Sequence, residues 1–141
     1  TTLKNTENKT PNKAIYTSGG KMEKVIRELA KEVGRVIQKP EMKTDFVIKG
    51  LGIRRGEEAL IYRIPSHSKK ASFYEKGVTL SEFQFAYVHL KESGYFTRAW
   101  FNKNLSACAK EGACNFTTIG GVFSILGVAE YTSKATYQLK A

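Results

Sequence analysis

From Thr79 onward the apolar residues keep helical spacing in three successive stretches and then switch to alternation, and few folds accommodate that order. Thr79-Leu80-Ser81-Glu82 opens the first stretch as a capping box, in which the Thr hydroxyl accepts from the Glu amide and the Glu side chain reaches back. Phe83, Ala86, Tyr87 and Leu90 then mark one helical face, and Gly94 stands where a C-cap glycine belongs. Thr97 caps a short second helix carrying Trp100 and Phe101, and residues 104–115 read as a loop. Asn115 or Thr117 caps a third helix, whose buried stripe is Phe116, Ile119, Val122, Phe123 and Leu126. Val128–Tyr131 and Thr136–Leu139 alternate around Ser133-Lys134-Ala135, the pattern of a β-hairpin.

The N-terminal half is less regular. Residues 1–20 are rich in Asn, Thr and Lys and read as a flexible basic arm. Met22, Val25, Ile26, Leu29, Val33, Val36 and Ile37 follow helical spacing, so a helix is expected over 22–37, ended by Pro40. That stripe fits packing on the body of the protein or pairing with a second copy as a homodimer. Residues 46–64 read as a hairpin around Gly50-Leu51-Gly52-Ile53-Arg54-Arg55-Gly56, closed by Pro65, with Leu60, Tyr62 and Ile64 facing inward. Residues 66–78 read as a polar, basic linker. The expected class is therefore α+β: a single domain over 21–141, with a helix-plus-hairpin subregion at 22–65 and a three-helix unit with a terminal ribbon at 79–139.

Charge narrows the function. Lys and Arg number 23 against 13 Asp and Glu, a net charge of +10. Residues 1–40 contribute +5, residues 41–79 +3 and residues 80–141 +2, so the excess is spread along the chain. Such a balance suits a polyanion and exceeds what solubility requires. There is no run of 18 apolar residues to span a membrane, and no charged-then-apolar leader at the N-terminus. The expectation is a cytoplasmic binder, associated with the nucleoid in a bacterium, that uses no cofactor.

A search for chemistry yields no catalytic or metal set. Cys108 and Cys114 lie too far apart in sequence for a metal knuckle, and the histidines are His67 and His89 alone. Asp45 with Glu57-Glu58 is the right residue type for a metal-dependent nuclease, but no Lys follows at the usual spacing. Gly50-Leu51-Gly52 lacks the third glycine and the following helix of a phosphate-cradling loop. Gly120-Gly121 inside a helix costs up to about 2 kcal/mol relative to two alanines. Close packing or close approach to a phosphate backbone would offset that cost, and flanking Ile119 and Val122 favour packing.

The order of elements over 79–139 resembles a winged helix-turn-helix domain. The resemblance implies DNA binding, with residues 116–126 in the major groove and residues 128–139 as the wing. On that basis Asn115, Thr117 and Thr118 are candidate contacts at the start of the third helix, where a helix N-terminus favours an anion. Lys134 would sit at the wing tip. From the charge pattern, Arg54 and Arg55 at the first hairpin tip, Lys69 and Lys70 in the linker, Arg98 and Lys103 on the second helix, and Lys110 after it are candidate phosphate contacts. Double-stranded DNA is the expected partner. The alternatives are RNA or single strands, stacked on Phe73 and Tyr74, or nuclease chemistry.

Overall fold

The computed structural model describes residues 20–40, 45–65 and 73–140. The expected arm at 1–20, apart from Gly20, and the candidates Lys69 and Lys70 lie outside the described residues. The chain is α+β and runs α1 (Lys21–Ala30), β1 (Val36–Ile37), β2 (Phe46–Arg54), β3 (Glu57–Pro65), β4 (Phe73–Thr79), α2 (Leu80–Ser93), β5 (Tyr95–Thr97), α3 (Arg98–Asn104), α4 (Ser106–Glu111), α5 (Asn115–Ile125), β6 (Ala129–Ser133) and β7 (Thr136–Leu139). No described helix is long and apolar enough to cross a membrane.

Two antiparallel sheets form, one ordered β1-β2-β3-β4 and the other β5-β7-β6. The expected first hairpin is present and turns through Arg55 and Gly56, at φ 51° and 75°. Positive φ at both central residues is the two-residue turn whose twist matches that of paired strands. The segment read as a linker instead supplies β4, which pairs along β3 from Ala59↔Thr79 to Pro65↔Phe73. Its charged residues hid the strand, because Glu75 and Lys76 sit on it with partners elsewhere in the fold.

The first helix is shorter than its apolar spacing suggests. α1 stops at Ala30, and Val33 is 72% exposed. Gly34 takes φ 89°, a conformation open to glycine at little cost, and turns the chain so that Val36 and Ile37 pair with Val47 and Phe46. Residues at 33, 36 and 37 thus match a helical period while belonging to a turn and a strand. At the other end of α1, the Met22 N–H donates to Gln84 Oε1 at 3.0 Å, so α2 satisfies one of its free first-turn amides.

The capping box at Thr79 and Glu82 forms as expected, and α2 ends at Gly94 with φ 88°. Thr97 accepts from the Trp100 amide and starts α3. The expected loop at 104–115 contains α4, and β5 is a further strand that joins the terminal ribbon at Tyr95↔Gln138. One apolar core runs from Met22 and Ile26 through Phe46, Tyr62 and Phe83 to Phe123 and Tyr137. α5 lies inside it, with Phe116, Thr118, Ile119, Val122 and Phe123 all fully buried.

Candidate functional site

Burial of α5 decides much of what the C-terminal unit can touch. A side chain on Gly120 would strike the Tyr137 ring, and one on Gly121 would stand 2.7 Å from Ile37 Cγ2. The glycine pair therefore serves packing, with the ribbon against one residue and β1 against the next. Most of the face expected over residues 116–126 to meet bases is thus turned into the core, and among the helix residues only Thr117, Ser124 and Ile125 reach the surface. Asn115 is fully buried: its Oδ1 accepts from Tyr62 and its Nδ2 donates to the Cys108 carbonyl at 2.9 Å. Thr118 is likewise fully buried and accepts from Lys39. Neither is available to a nucleic acid. Thr117 is half-buried, donates to the Cys114 carbonyl and accepts from the same lysine.

The hairpin-tip arginines are also engaged. Arg55 donates from Nε to Glu82 Oε2 at 2.7 Å, from Nη2 to Glu82 Oε1 at 2.8 Å and the Gly77 carbonyl at 2.9 Å, and from Nη1 to Glu111. Arg54 Nε donates to the other Glu111 oxygen at 3.0 Å. Burial disfavours the Glu111 carboxylate, but the two guanidiniums outweigh it and hold the group below the usual carboxylate range. Fork-shaped guanidiniums meeting carboxylates in this way are structural ties, so Arg54 and Arg55 are not free phosphate clamps.

The remaining cations divide by region. Arg27 pairs with Glu58, Lys31 with Glu28, Arg35 with Glu32, and Lys49 and Arg63 with Glu75. Among the described residues no ion pair occupies Arg98, Lys103, Lys110 or Lys134. Lys103, Lys110 and Lys134 are exposed. Arg98 donates to the Ala113 carbonyl and stacks over Phe116, and its backbone N–H donates to the Ala135 carbonyl at 3.1 Å. That last bond sets the β6–β7 turn against the start of α3.

The nuclease candidates are not brought together. Asp45 precedes β2 at one end of the hairpin and Glu57-Glu58 stand at the other, roughly 25 Å away at the usual strand rise. Glu58 is taken by Arg27, and Glu57 accepts from Ser81. Among the described residues no group of three His, Cys, Asp or Glu side chains is arranged to hold a metal. Cys108 and Cys114 are free thiols, and burial raises the Cys108 pKa well above its ordinary value. Of the pair kept for stacking, Tyr74 is exposed on β4.

A second cluster escaped the sequence reading. Lys39 is 5% exposed, and its Nζ donates to Thr118 Oγ1 at 2.7 Å and Thr117 Oγ1 at 3.0 Å. The Phe46 ring lies beneath it, 3.9 Å from nitrogen to centroid, and that ring stacks on Tyr62. Tyr62 OH sits 3.2 Å from Cys114 Sγ. Burial is the chief reason that the Lys39 pKa is pushed down to about 6, reinforced by the Arg98 charge and opposed by Cys114 and Asp45. Lys39 lines a cleft of about 700 Å³ beside α5, and Thr117 lines an adjoining one of about 420 Å³ with Arg98 and Cys114. No local signal marks this lysine, because its threonine partners are 78 and 79 residues away. Comparison with known proteins adds no relative: no protein family, no curated protein and no solved structure matches the chain.

Proposed function

We propose that the chain binds nucleic acid, double-stranded DNA first, through the phosphate backbone and without base reading by α5. The supporting observation is how the cations are partnered. In the N-terminal sheet Lys49, Arg54, Arg55 and Arg63 are mated with carboxylates, whereas Arg98, Lys103, Lys110 and Lys134 on α3, α4 and the β6–β7 turn carry no such partner among the described residues. A cation already paired with a carboxylate gains little from a phosphate; one facing water releases a condensed counterion when it meets one. The Arg98–Ala135 bond keeps the ribbon turn next to α3, so that Lys134 and α3 approach a duplex together.

In this reading the ribbon acts as the wing of a winged-helix-like unit, and β5 anchors it to the helical body. Binding of this kind supplies affinity with little sequence information. A cytoplasmic location, at the nucleoid in a bacterium, accords with it. The test is a titration against duplex DNA, single-stranded DNA and RNA at several salt concentrations. Duplex binding whose log K falls linearly with log salt is the expected result, and preference for single strands would move the interface to the exposed Tyr74. Absence of binding to all three at physiological salt overturns the reading.

A further inference from the structure

We propose that the cleft between the start of α5 and the β6–β7 turn binds a small aromatic carboxylate, whose charged end is received by the Arg98 guanidinium. The inference is independent of nucleic-acid binding and is tested in its absence.

The cleft encloses about 420 Å³, which suits a ligand of one or two fused rings. Its lining is reached from solvent: Pro40 and Ala113 are exposed, and Arg98, Tyr131 and Ala135 are half-buried. Carbon makes up most of that wall. Among the described residues that line it, Arg98 alone is charged. The wall itself holds this arginine. Its Nη1 donates to the Ala113 carbonyl at 3.0 Å, its guanidinium carbon lies 4.7 Å from the Phe116 ring centroid, and its backbone N–H donates to the Ala135 carbonyl at 3.1 Å. The other edge of the guanidinium, Nε with Nη2, has neither a hydrogen-bond acceptor nor a carboxylate among the described residues.

That arrangement selects a ligand by both of its ends. A guanidinium edge offers two parallel N–H groups, which match the two oxygens of a carboxylate. One cation balances one negative charge. A phosphate monoester carries nearly two charges and three outer oxygens at neutral pH, and against carbon walls the surplus would go unmatched. The first turn of α5 supplies Thr117 to the same cleft, and the positive end of a helix favours the same sign of charge. The rings of Pro40 and Tyr131 give the body of the ligand flat apolar surfaces, which an aromatic ring covers well. A neutral ring compound would gain the walls alone, and a bare carboxylate the guanidinium alone.

The test titrates the full chain, free of nucleic acid, with 2-naphthoate at pH 7 and follows ligand fluorescence and backbone amide NMR shifts. Saturable binding with a dissociation constant below about 1 mM is expected, with the shifts centred on Ala113, Thr117 and Ala135. 2-Naphthalenemethanol keeps the rings and acetate keeps the charge; each should bind at least about tenfold more weakly. Arg98→Met keeps an unbranched side chain against Phe116 and removes the charge. With a native circular dichroism spectrum, it should weaken 2-naphthoate binding about tenfold and leave the alcohol unaffected. If that variant fails to fold, the shift map and the analogue series on the parent chain still decide. Absence of saturation, shifts centred elsewhere, equal affinity for the alcohol, or tighter binding of 2-naphthyl phosphate overturns the proposal, as does a folded Arg98→Met chain with undiminished affinity.

Discussion

The ring of Tyr137 occupies the space that a side chain on Gly120 would need. The ribbon can therefore lie against α5 only because that helix position has no Cβ. Tyr137 is itself 1% exposed and packs edge-on to Phe116, so it has little freedom to retreat. Gly120→Ala should lower stability by about 2–3 kcal/mol, against the gain of about 1 kcal/mol expected from helix propensity alone. Denaturant unfolding measures the sign directly, and an unchanged midpoint would mean that the ribbon does not dock as described.

Arg55 is predicted to matter for stability and not for affinity. Arg55→Ala leaves Glu82 and Glu111, both mostly buried, with lost partners, at a cost of about 2 kcal/mol or more. Because the Glu111 pKa is depressed in the folded chain, the stability it contributes is present above the normal carboxylate pKa and fades as the pH falls through the folded value. Melting curves between pH 3 and 7 should show a flatter acid limb in the variant. DNA affinity, measured alongside, should stay within about twofold of the parent chain.

Lys39 should give stability a slope on the alkaline side. Its folded pKa of about 6 lies below the ordinary lysine value, so between those limits the unfolded chain carries a proton that the folded chain does not. Stability then rises with pH across that window, by at most about 1.4 kcal/mol per unit. Asp45 and Cys114 favour the charged amine and Arg98 opposes it, all from neighbouring segments. Lys39→Met should remove this slope and be most stabilising, relative to the parent chain, at pH 6 and below. Thermal melts at pH 6, 8 and 10 decide the matter: parallel curves for both proteins would mean that the amine stays charged when buried.

Lys103, Lys110 and Lys134 are the cations on which the proposed DNA contact depends. Replacing all three by Ala should weaken duplex binding for every sequence alike and reduce the slope of log K against log salt by about three. All three side chains are exposed, so the triple variant should keep the parent fold, which circular dichroism checks. A slope unchanged in the triple variant would place the phosphate contacts elsewhere.

Local chemistry was the legible part of this sequence. The Thr79–Glu82 box, the Thr97 cap, the Gly94 terminus and both hairpins were readable because each is specified within a few neighbouring residues. Elements fixed by distant partners were not. β4 carries Glu75, Lys76 and Gly77 and reads as a linker until β3 and Glu111 are placed beside it. Val33, Val36 and Ile37 share a helical period with α1 by coincidence, and Gly34 breaks the helix before they can use it. The site followed the same rule. Charge counting picked out Arg54 and Arg55 but could not see the carboxylates that neutralise them, and it gave no reason to single out Lys39, whose surroundings come from β2, β3 and α5.

Glu82 both closes the start of α2, through the Thr79 amide, and receives the guanidinium of Arg55 from the hairpin tip. One carboxylate thus belongs at once to the first half of the chain and to the second. Fraying the start of that helix loosens the hairpin, and pulling the hairpin away uncaps the helix. The two halves are accordingly expected to melt in one step, with calorimetric and van't Hoff enthalpies in agreement.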